Sequence, residues 1–335
     1  MSILATDLQA FLPAAVTANP ATNGGRMGAS AINLNAKNNV FPDVSAALRA
    51  SGGVRWRKLF LANRNAENVA VQSTLVLMNA PTVYDDYAYF VPGTHEDFES
   101  GVSGDIYGCA LLSQNAAAGA NSVTVALEDA ALAPMLTTGR EILITNRTDF
   151  ANTTGNVGTE EFHRIASVSV SGLTATITLD ATLANAYTVA AAGRVCTVYR
   201  PAQLAQPQLE GWSESGSGTY DKTGFPVLLT NQGAIRQAWE IVYQSATNFT
   251  ISGDTLGALG TFETLANAAP APAGGQPYFT LKADGHGSGH AAGDRISFTT
   301  SPAAVPVWIR HSVPAGITDY GLTDIPISWQ LEGES

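Results

Sequence analysis

Short runs in which hydrophobic and polar residues alternate recur along the chain, separated by segments rich in Gly, Pro and Asn. Alternation with a period of two is typical of a β-strand that is buried on one face. The pattern contains no amphipathic helix longer than about three turns. It therefore predicts a mainly β fold, composed of β-sandwich domains with a small inserted β-barrel-like module and an extended N-terminal arm.

The first clear strands lie at residues 54–62 and 69–78, on either side of a polar segment. Two alternating runs around such a break predict a β-hairpin. Ahead of them, Ser45 is a candidate cap and Gly52 a candidate stop for a short helical turn. Residues 1–40 show little periodicity, so we expect an arm that becomes ordered only on a neighbouring subunit.

Later in the chain, runs rich in Val, Ile and Thr predict about five or six strands, enough for a small barrel or sandwich. Ser171 and Gly172, between two of these runs, predict a tight hairpin. The last runs are more aromatic, and we expect Trp239, Trp308 and Trp329 to fill one sandwich core. The predicted domains are an N-terminal arm (1–40), a β-rich domain (41–108), a small barrel or sandwich module (109–201) and a C-terminal sandwich (202–335), with packing of the last against 41–108 left open.

Composition narrows the class of protein. The 335 residues are 45% hydrophobic and only 13% charged, which does not fit a disordered or coiled-coil chain. The net charge of −11 argues against a nucleic-acid partner, because phosphate neutralisation needs clustered Lys and Arg. No run reaches the ~18 apolar residues of a membrane span, and the N-terminus lacks the basic start of a secretory signal.

Charge is distributed unevenly: residues 1–64 hold seven basic and two acidic groups, whereas residues 65–139 hold nine acidic groups and no basic one. Opposite charge on separate segments suits head-to-tail self-association. On a strand, Arg55 and Arg57 share one face, where they would meet a partner's carboxylates, and Trp56 takes the other. The alternative is pairing within one chain or exposure to water, where a surface pair is worth ~0–1 kcal/mol. The predicted interface comprises Arg49, Arg55, Arg57, Lys58 and Arg64 with Asp85, Asp86, Glu96, Asp97 and Glu99.

Candidate catalytic and metal-binding residues are few. His286 and His290 lie in a Gly-rich segment with Asp284. These three residues could bind a metal ion only if the segment folded around it, so an exposed hairpin tip is the favoured interpretation. Adjacent carboxylates such as Asp85 and Asp86 point to opposite faces of a strand and would not bracket one bond. The sequence contains no nucleophile elbow, phosphate-binding loop or dinucleotide-binding motif. We therefore expect a protein that is not an enzyme and has no cofactor.

The two cysteines, Cys109 and Cys196, are too few for a disulfide framework, and their spacing does not indicate a zinc site. A reducing compartment is the simpler expectation.

Two aromatic residues suggest an alternative function. Trp212 and Tyr220 lie in a Gly/Ser-rich stretch, where exposed rings would stack on sugars, as in a glycan- or receptor-binding module. The competing interpretation is a linker anchored by one buried Trp, which agrees better with the general burial of aromatic residues.

Two segments resemble a known family: Gly25-Arg-Met-Gly-Ala-Ser and residues 38–63. They are similar to an N-terminal block of virion structural proteins of tailed bacteriophages, Mu-like and related ones with modular tails. The order of an acidic segment, a Thr/Val-rich module and a Trp-containing sandwich is also similar, so the resemblance covers most of the chain.

That resemblance implies a tail or baseplate protein without catalytic residues. Its expected location is the virion, after assembly in the host cytoplasm. The expected partners are further copies of the chain, in a ring or other symmetric assembly, and other tail or baseplate proteins.

Overall fold

The computed structural model describes residues 3–33, 36–147, 158–202, 205–319 and 325–333. Strands dominate these residues, which confirms the mainly β fold with a small barrel. None of the described helices is long and apolar enough to cross a membrane. The α-helix is α1 (Ala46–Ser51), and the strands are β1 (Leu8–Ala15), β2 (Gly24–Ala31), β3 (Gly53–Asn63), β4 (Val71–Met78), β5 (Tyr87–Pro92), β6 (Cys109–Leu112), β7 (Ser122–Ala126), β8 (Glu141–Thr145), β9 (Glu160–Ser171), β10 (Thr174–Leu179), β11 (Arg194–Thr197), β12 (Gln208–Ser215), β13 (Gln237–Tyr243), β14 (Asn248–Gly253), β15 (Gly257–Glu263), β16 (Arg295–Ser301), β17 (Ala304–Val313) and β18 (Ile327–Gly333).

The first sheet is antiparallel, with the strand order β2-β1-β3-β17-β5. Its centre is the pair β3 and β17, which stays in register from Gly53 opposite Val313 to Ala62 opposite Ala304. Nearly every residue of β17 is buried. Burial without alternation means that both faces of the sheet are covered at this strand.

The expected N-terminal arm is instead a pair of strands in this sheet. β1 pairs with β3, with Leu8 opposite Asn63, and pairs with β2 on its other side. Its residues Ala10 and Phe11 are buried. Periodicity does not reveal the strands because the register of β1 against β2 shifts on both sides of Pro13, which interrupts the alternation.

The two runs expected to form a hairpin are strands, but they are not partners. β3 lies between β1 and β17, whereas β4 pairs with β18, placing Val76 opposite Trp329. Both strands thus take a partner from the C-terminal end of the chain. Local alternation indicates a strand, but the partner is decided by how the faces become buried.

The short helical turn is confirmed as α1. The Ser45 hydroxyl oxygen accepts a hydrogen bond from the Leu48 N–H at 3.1 Å, and Gly52, with a φ of 70°, follows the helix. A positive φ favours glycine, which explains the stop at this position.

Strands β6 to β11 form a closed barrel of order β10-β7-β6-β11-β8-β9. Apolar side chains, among them Val125, Ile142 and Ile177, fill its interior. The tight hairpin is confirmed: Ser171 lies opposite Thr174, and the intervening turn contains Gly172 with a φ of 59°, a conformation that favours glycine.

The C-terminal sheet, β12-β16-β13-β14-β15, packs its own aromatic core, which includes Trp239. The expectation that three tryptophans share this core is wrong. Trp308 lies on β17 in the first sheet, and Trp329 on β18 packs against the core that contains Val76. Similar alternating runs do not reveal which sheet each strand joins. The predicted C-terminal sandwich therefore divides: residues 208–301 hold one sheet, and residues 304–333 complete the first domain.

Glu161 on β9 holds the segment that follows β10. Its carboxylate accepts hydrogen bonds from the N–H groups of Ala184 at 2.8 Å and Asn185 at 3.1 Å, and lies 3.0 Å from Nε2 of His163. Burial alone would raise the pKa of Glu161, but these hydrogen bonds outweigh it and lower the pKa to about 2. The ionised carboxylate thus fixes this segment to the barrel wall.

Replacing Glu161 by Gln is expected to lower the free energy of unfolding by about 1–3 kcal/mol near neutral pH, because a neutral amide accepts these hydrogen bonds less well. The folded-state pKa lies below the unfolded value of 4.5. The carboxylate's contribution is therefore present above that value and is lost as the pH falls towards about 2.

Urea unfolding of both proteins across this pH range measures the effect. Glu67→Gln, which changes an exposed carboxylate, is the control and should change stability little. A destabilisation by Glu161→Gln that stays constant down to about pH 2 would contradict the assignment.

Candidate functional site

Lys58, predicted at an interface, lies wholly inside the first domain. Its side chain is 0% exposed, and its Nζ lies 2.6 Å from Oδ1 of Asp97. The ammonium group also donates to the carbonyl oxygens of Gly25 at 2.7 Å and Asp97 at 3.1 Å. Burial lowers the pKa of Lys58, and the Asp97 carboxylate opposes that change.

Asp97 completes this buried cluster. Its Oδ2 accepts a hydrogen bond from the indole N–H of Trp308 at 2.8 Å, and its Oδ1 accepts one from the Thr94 N–H at 3.1 Å. The Lys58 ammonium group also lies 4.9 Å from the centre of the Phe60 ring. Lys58 and Asp97 thus pair within one chain, which removes Lys58 from any external contact.

A second internal cluster contains Arg55. Its Nη2 donates to Nδ1 of His311 at 2.8 Å, so the other ring nitrogen of His311 carries a proton and donates to the Asp86 carboxylate. Asp86 and His311 are both buried. The predicted basic and acidic groups therefore meet inside the first sheet.

The remaining predicted interface residues also contact groups of the same chain. The arginines donate to backbone carbonyl groups: Arg49 to Val44, Arg57 to Val40, and Arg64 to Asn231 and Gln232. The carboxylates accept hydrogen bonds: Asp85 from the N–H groups of Thr318 and Asp319, Glu96 from the side chains of Arg26 and Arg236, and Glu99 from the side chain of Asn23. The charge asymmetry in the sequence therefore does not translate into two separate patches. Oppositely charged groups are mixed because strands from both segments share one sheet.

A cavity of about 480 Å³ lies beside Arg55. Its polar lining includes Arg55, His311 and Asp43, and its apolar lining includes Leu59, Ile309 and Trp329. This size and mixed lining are common in small-molecule sites. Arg55, which was predicted to face a partner, borders this cavity instead.

Arg26 joins the first sheet to the C-terminal sheet. Its guanidinium lies 2.6 Å from Glu96 and 2.6 Å from Asp254, and it donates to the Gln237 side chain at 3.1 Å. Arg236 contacts the second oxygen of Glu96 at 3.0 Å. The sequence contains no motif that indicates this network, because its residues lie far apart in the chain.

The aromatic residues of the glycan alternative are not available as a stacking platform. Tyr220 is buried in the core of the C-terminal sheet. Trp212 stacks on Phe298, with 5.3 Å between ring centres, and donates its indole N–H to Glu214 at 2.6 Å. Both rings are largely occupied by contacts within the domain, so these two residues give the glycan-binding interpretation no support.

His286 and His290 form an aromatic cluster with Tyr243 rather than an exposed hairpin tip. His290 is buried and stacks on Tyr243, with 3.8 Å between ring centres. The Tyr243 hydroxyl lies 2.7 Å from Nδ1 of His286, and burial lowers the pKa of His286 to about 4. Across the described ranges, no three side chains of metal-ligating type converge.

The outer part of β9 is the strongest candidate for a contact surface. Pairing of β9 with β8 ends near Ile165, and residues 166–171 pair with β10 alone. The pairing with β10 is regular from Ser167 to Ser171. This part of the barrel wall extends beyond β8 and leaves one strand edge open within the described chain.

The turn register defines which groups lie on that edge. Ser171 and Thr174 close a two-residue turn, so the backbone of Ser171 and Ser169 faces β10. The N–H and C=O groups of the alternate residues, Val168 and Val170, point away from β10. Val170 is 43% exposed, and no charged residue occurs from Ile165 to Leu179.

Natural proteins protect open strand edges with charges, proline, bulges or very short strands. The edge strand β12 has such protection, since it carries Glu210 and Glu214 and its register shifts beside Gly211. The outer part of β9 carries no charge, and its register shift against β10 lies at Ala166, before the regular run from Ser167 to Ser171. Sequence analysis identifies the hairpin but not the open edge, because alternation does not show where pairing with β8 stops.

Neither a family model nor a curated protein sequence matches this chain.

Replacing Lys58 by Met is expected to lower the free energy of unfolding by about 3 kcal/mol, the lower end for a broken buried pair, because the Asp97 carboxylate, which is 19% exposed, would lose the buried cation beside it. Urea unfolding measures the change. Lys37→Met, which removes an exposed lysine, is the matched control. Equal effects of the two substitutions would be inconsistent with a structural role for the Lys58–Asp97 pair.

Proposed function

We propose that this protein is a non-enzymatic structural component of a tailed-phage virion, of the tail or baseplate, that assembles as a symmetric oligomer. The observation that supports assembly is the open, uncharged edge of β9 over residues 166–171. The virion location and the tail or baseplate partners rest on the sequence resemblance.

An open strand edge offers a row of backbone donors and acceptors to a strand of another chain. Val168 and Val170 present these groups beside apolar side chains, so hydrogen bonding and burial of apolar surface would act together. A subunit that repeats one such contact around an axis forms a closed assembly.

Part of the segment that carries the sequence resemblance lies in the first sheet. Residues 38–63, which carry the resemblance, include α1 and β3, and β3 supplies Lys58 to the buried cluster. This segment therefore supports the scaffold, whereas the proposed contact lies on the inserted barrel.

The location of the contact differs from the one expected from charge. Lys58 and Asp97 are paired internally, so salt is not expected to govern assembly. Backbone pairing along β9 would persist at high salt.

The double substitution Val168→Lys and Val170→Lys is expected to reduce the oligomer to monomer, since paired lysines on a strand edge oppose addition of another strand. Light scattering coupled to size-exclusion chromatography, at low and high salt, measures the mass. The wild-type oligomer should keep its mass in both.

Ala126→Lys is the matched control, because this residue is exposed on β7, which has neighbours on both sides in the barrel. It should leave the oligomer intact. A monomeric wild-type protein, or a double variant with the wild-type mass, would overturn the proposed contact.

A further inference from the structure

The two cysteines mark the ends of the inserted barrel. Cys109 lies on β6, its first strand, and Cys196 lies on β11, its last strand. The two are 87 positions apart in sequence yet directly opposite each other in the antiparallel pair. The segment between them contains almost the whole barrel.

The register places them in a geometry that suits a disulfide. Thr197 donates its N–H to Gly108, and Leu112 donates to Gly193. Hydrogen-bonded and non-hydrogen-bonded pairs alternate along an antiparallel ladder, so Cys109 and Cys196 form a non-hydrogen-bonded pair. Such pairs have Cα atoms about 4.5 Å apart, within the roughly 4.4–6.8 Å that a disulfide requires.

The side chains face each other outside the barrel interior. Their sulfur atoms lie 2.8 Å apart, and both residues belong to the core that includes Val76 and Leu143. Their neighbour Ala110 belongs to the separate core inside the barrel. The sulfur pair is therefore enclosed where the barrel packs against the first domain.

We propose that Cys109 and Cys196 form an intramolecular disulfide that joins the two ends of the barrel when the protein folds in the presence of a small-molecule disulfide such as oxidised glutathione, which is the oxidant. The proposal replaces the reducing compartment expected from the cysteine count, in which the pair would stay as thiols. One cysteine thiolate attacks the glutathione disulfide and releases one glutathione thiolate. The second cysteine loses its proton and attacks the mixed disulfide, releasing the other glutathione. Two electrons pass from the protein to glutathione, and two glutathione thiols result.

The surroundings indicate when this exchange occurs. Both thiols are buried, and burial, together with the hydrogen bond to Cys196, raises the pKa of Cys109 well above its usual value. A protonated, enclosed thiol exchanges slowly. The bond therefore forms while the barrel is not yet packed on the first domain, and it then persists beneath that contact.

The test is refolding of the full chain in a glutathione redox buffer, followed by intact mass measurement and thiol labelling under denaturing conditions. The expected product has lost two hydrogen atoms, carries no glutathione and has no reactive thiol. Recovery of both thiols, or of glutathione adducts alone, would overturn the proposal. Refolding gives the oxidant access to both cysteines, so enclosure cannot account for a negative result.

Stability supplies a second readout. The oxidised protein should unfold at a higher urea concentration than the reduced protein, because the bond restricts the unfolded chain. Cys109→Ser and Cys196→Ser are the matched variants, and neither should show a difference between oxidising and reducing buffers. If the urea midpoint of either variant differed between oxidising and reducing buffers, the stabilisation would have a cause other than this disulfide.

Discussion

The ion pair between the buried Lys58 and the partly exposed Asp97 is the constraint on which the first domain depends. A charged group inside a protein is costly unless partners replace its water, and here those partners come from distant parts of the chain. β3 supplies Lys58, the segment after β5 supplies Asp97, and β17 supplies the indole group of Trp308. The cluster is satisfied only when all three elements are in place, so it couples the N-terminal strands to the C-terminal strand.

The first sheet, held together by this coupling, is the base to which the two other modules are attached. The barrel and the C-terminal sheet are both inserted between strands of the first sheet, whose order is β2-β1-β3-β17-β5. Arg26 then connects the first sheet to the C-terminal sheet through Glu96 and Asp254. This arrangement holds the modules on a common base. In the barrel, the outer part of β9 pairs with β10 on one side and has no strand partner on the other within the described residues.

The sequence predicts the elements of this fold better than their partners. Alternation identifies β3, β4 and the hairpin at Gly172, because these features depend on local burial and turn geometry. It does not reveal that β3 and β4 pair with C-terminal strands. Counting charges likewise suggests an interface at Lys58, because a count contains no information about burial. The open edge of β9 depends on where a neighbouring strand ends, which no local pattern records.

The central position of β17 has a consequence for synthesis on the ribosome. The chain must be extended beyond residue 303 before the strand that lies between β3 and β5 exists. At roughly 5–20 residues per second, synthesis of the stretch from Thr197, where the last barrel strand ends, to Ala304, where β17 begins, takes about 5–20 s. The barrel, whose strands all lie between Cys109 and Thr197, emerges well before then. The barrel can therefore fold first, while β3 and β5 remain without the strand that lies between them until β17 has been synthesised.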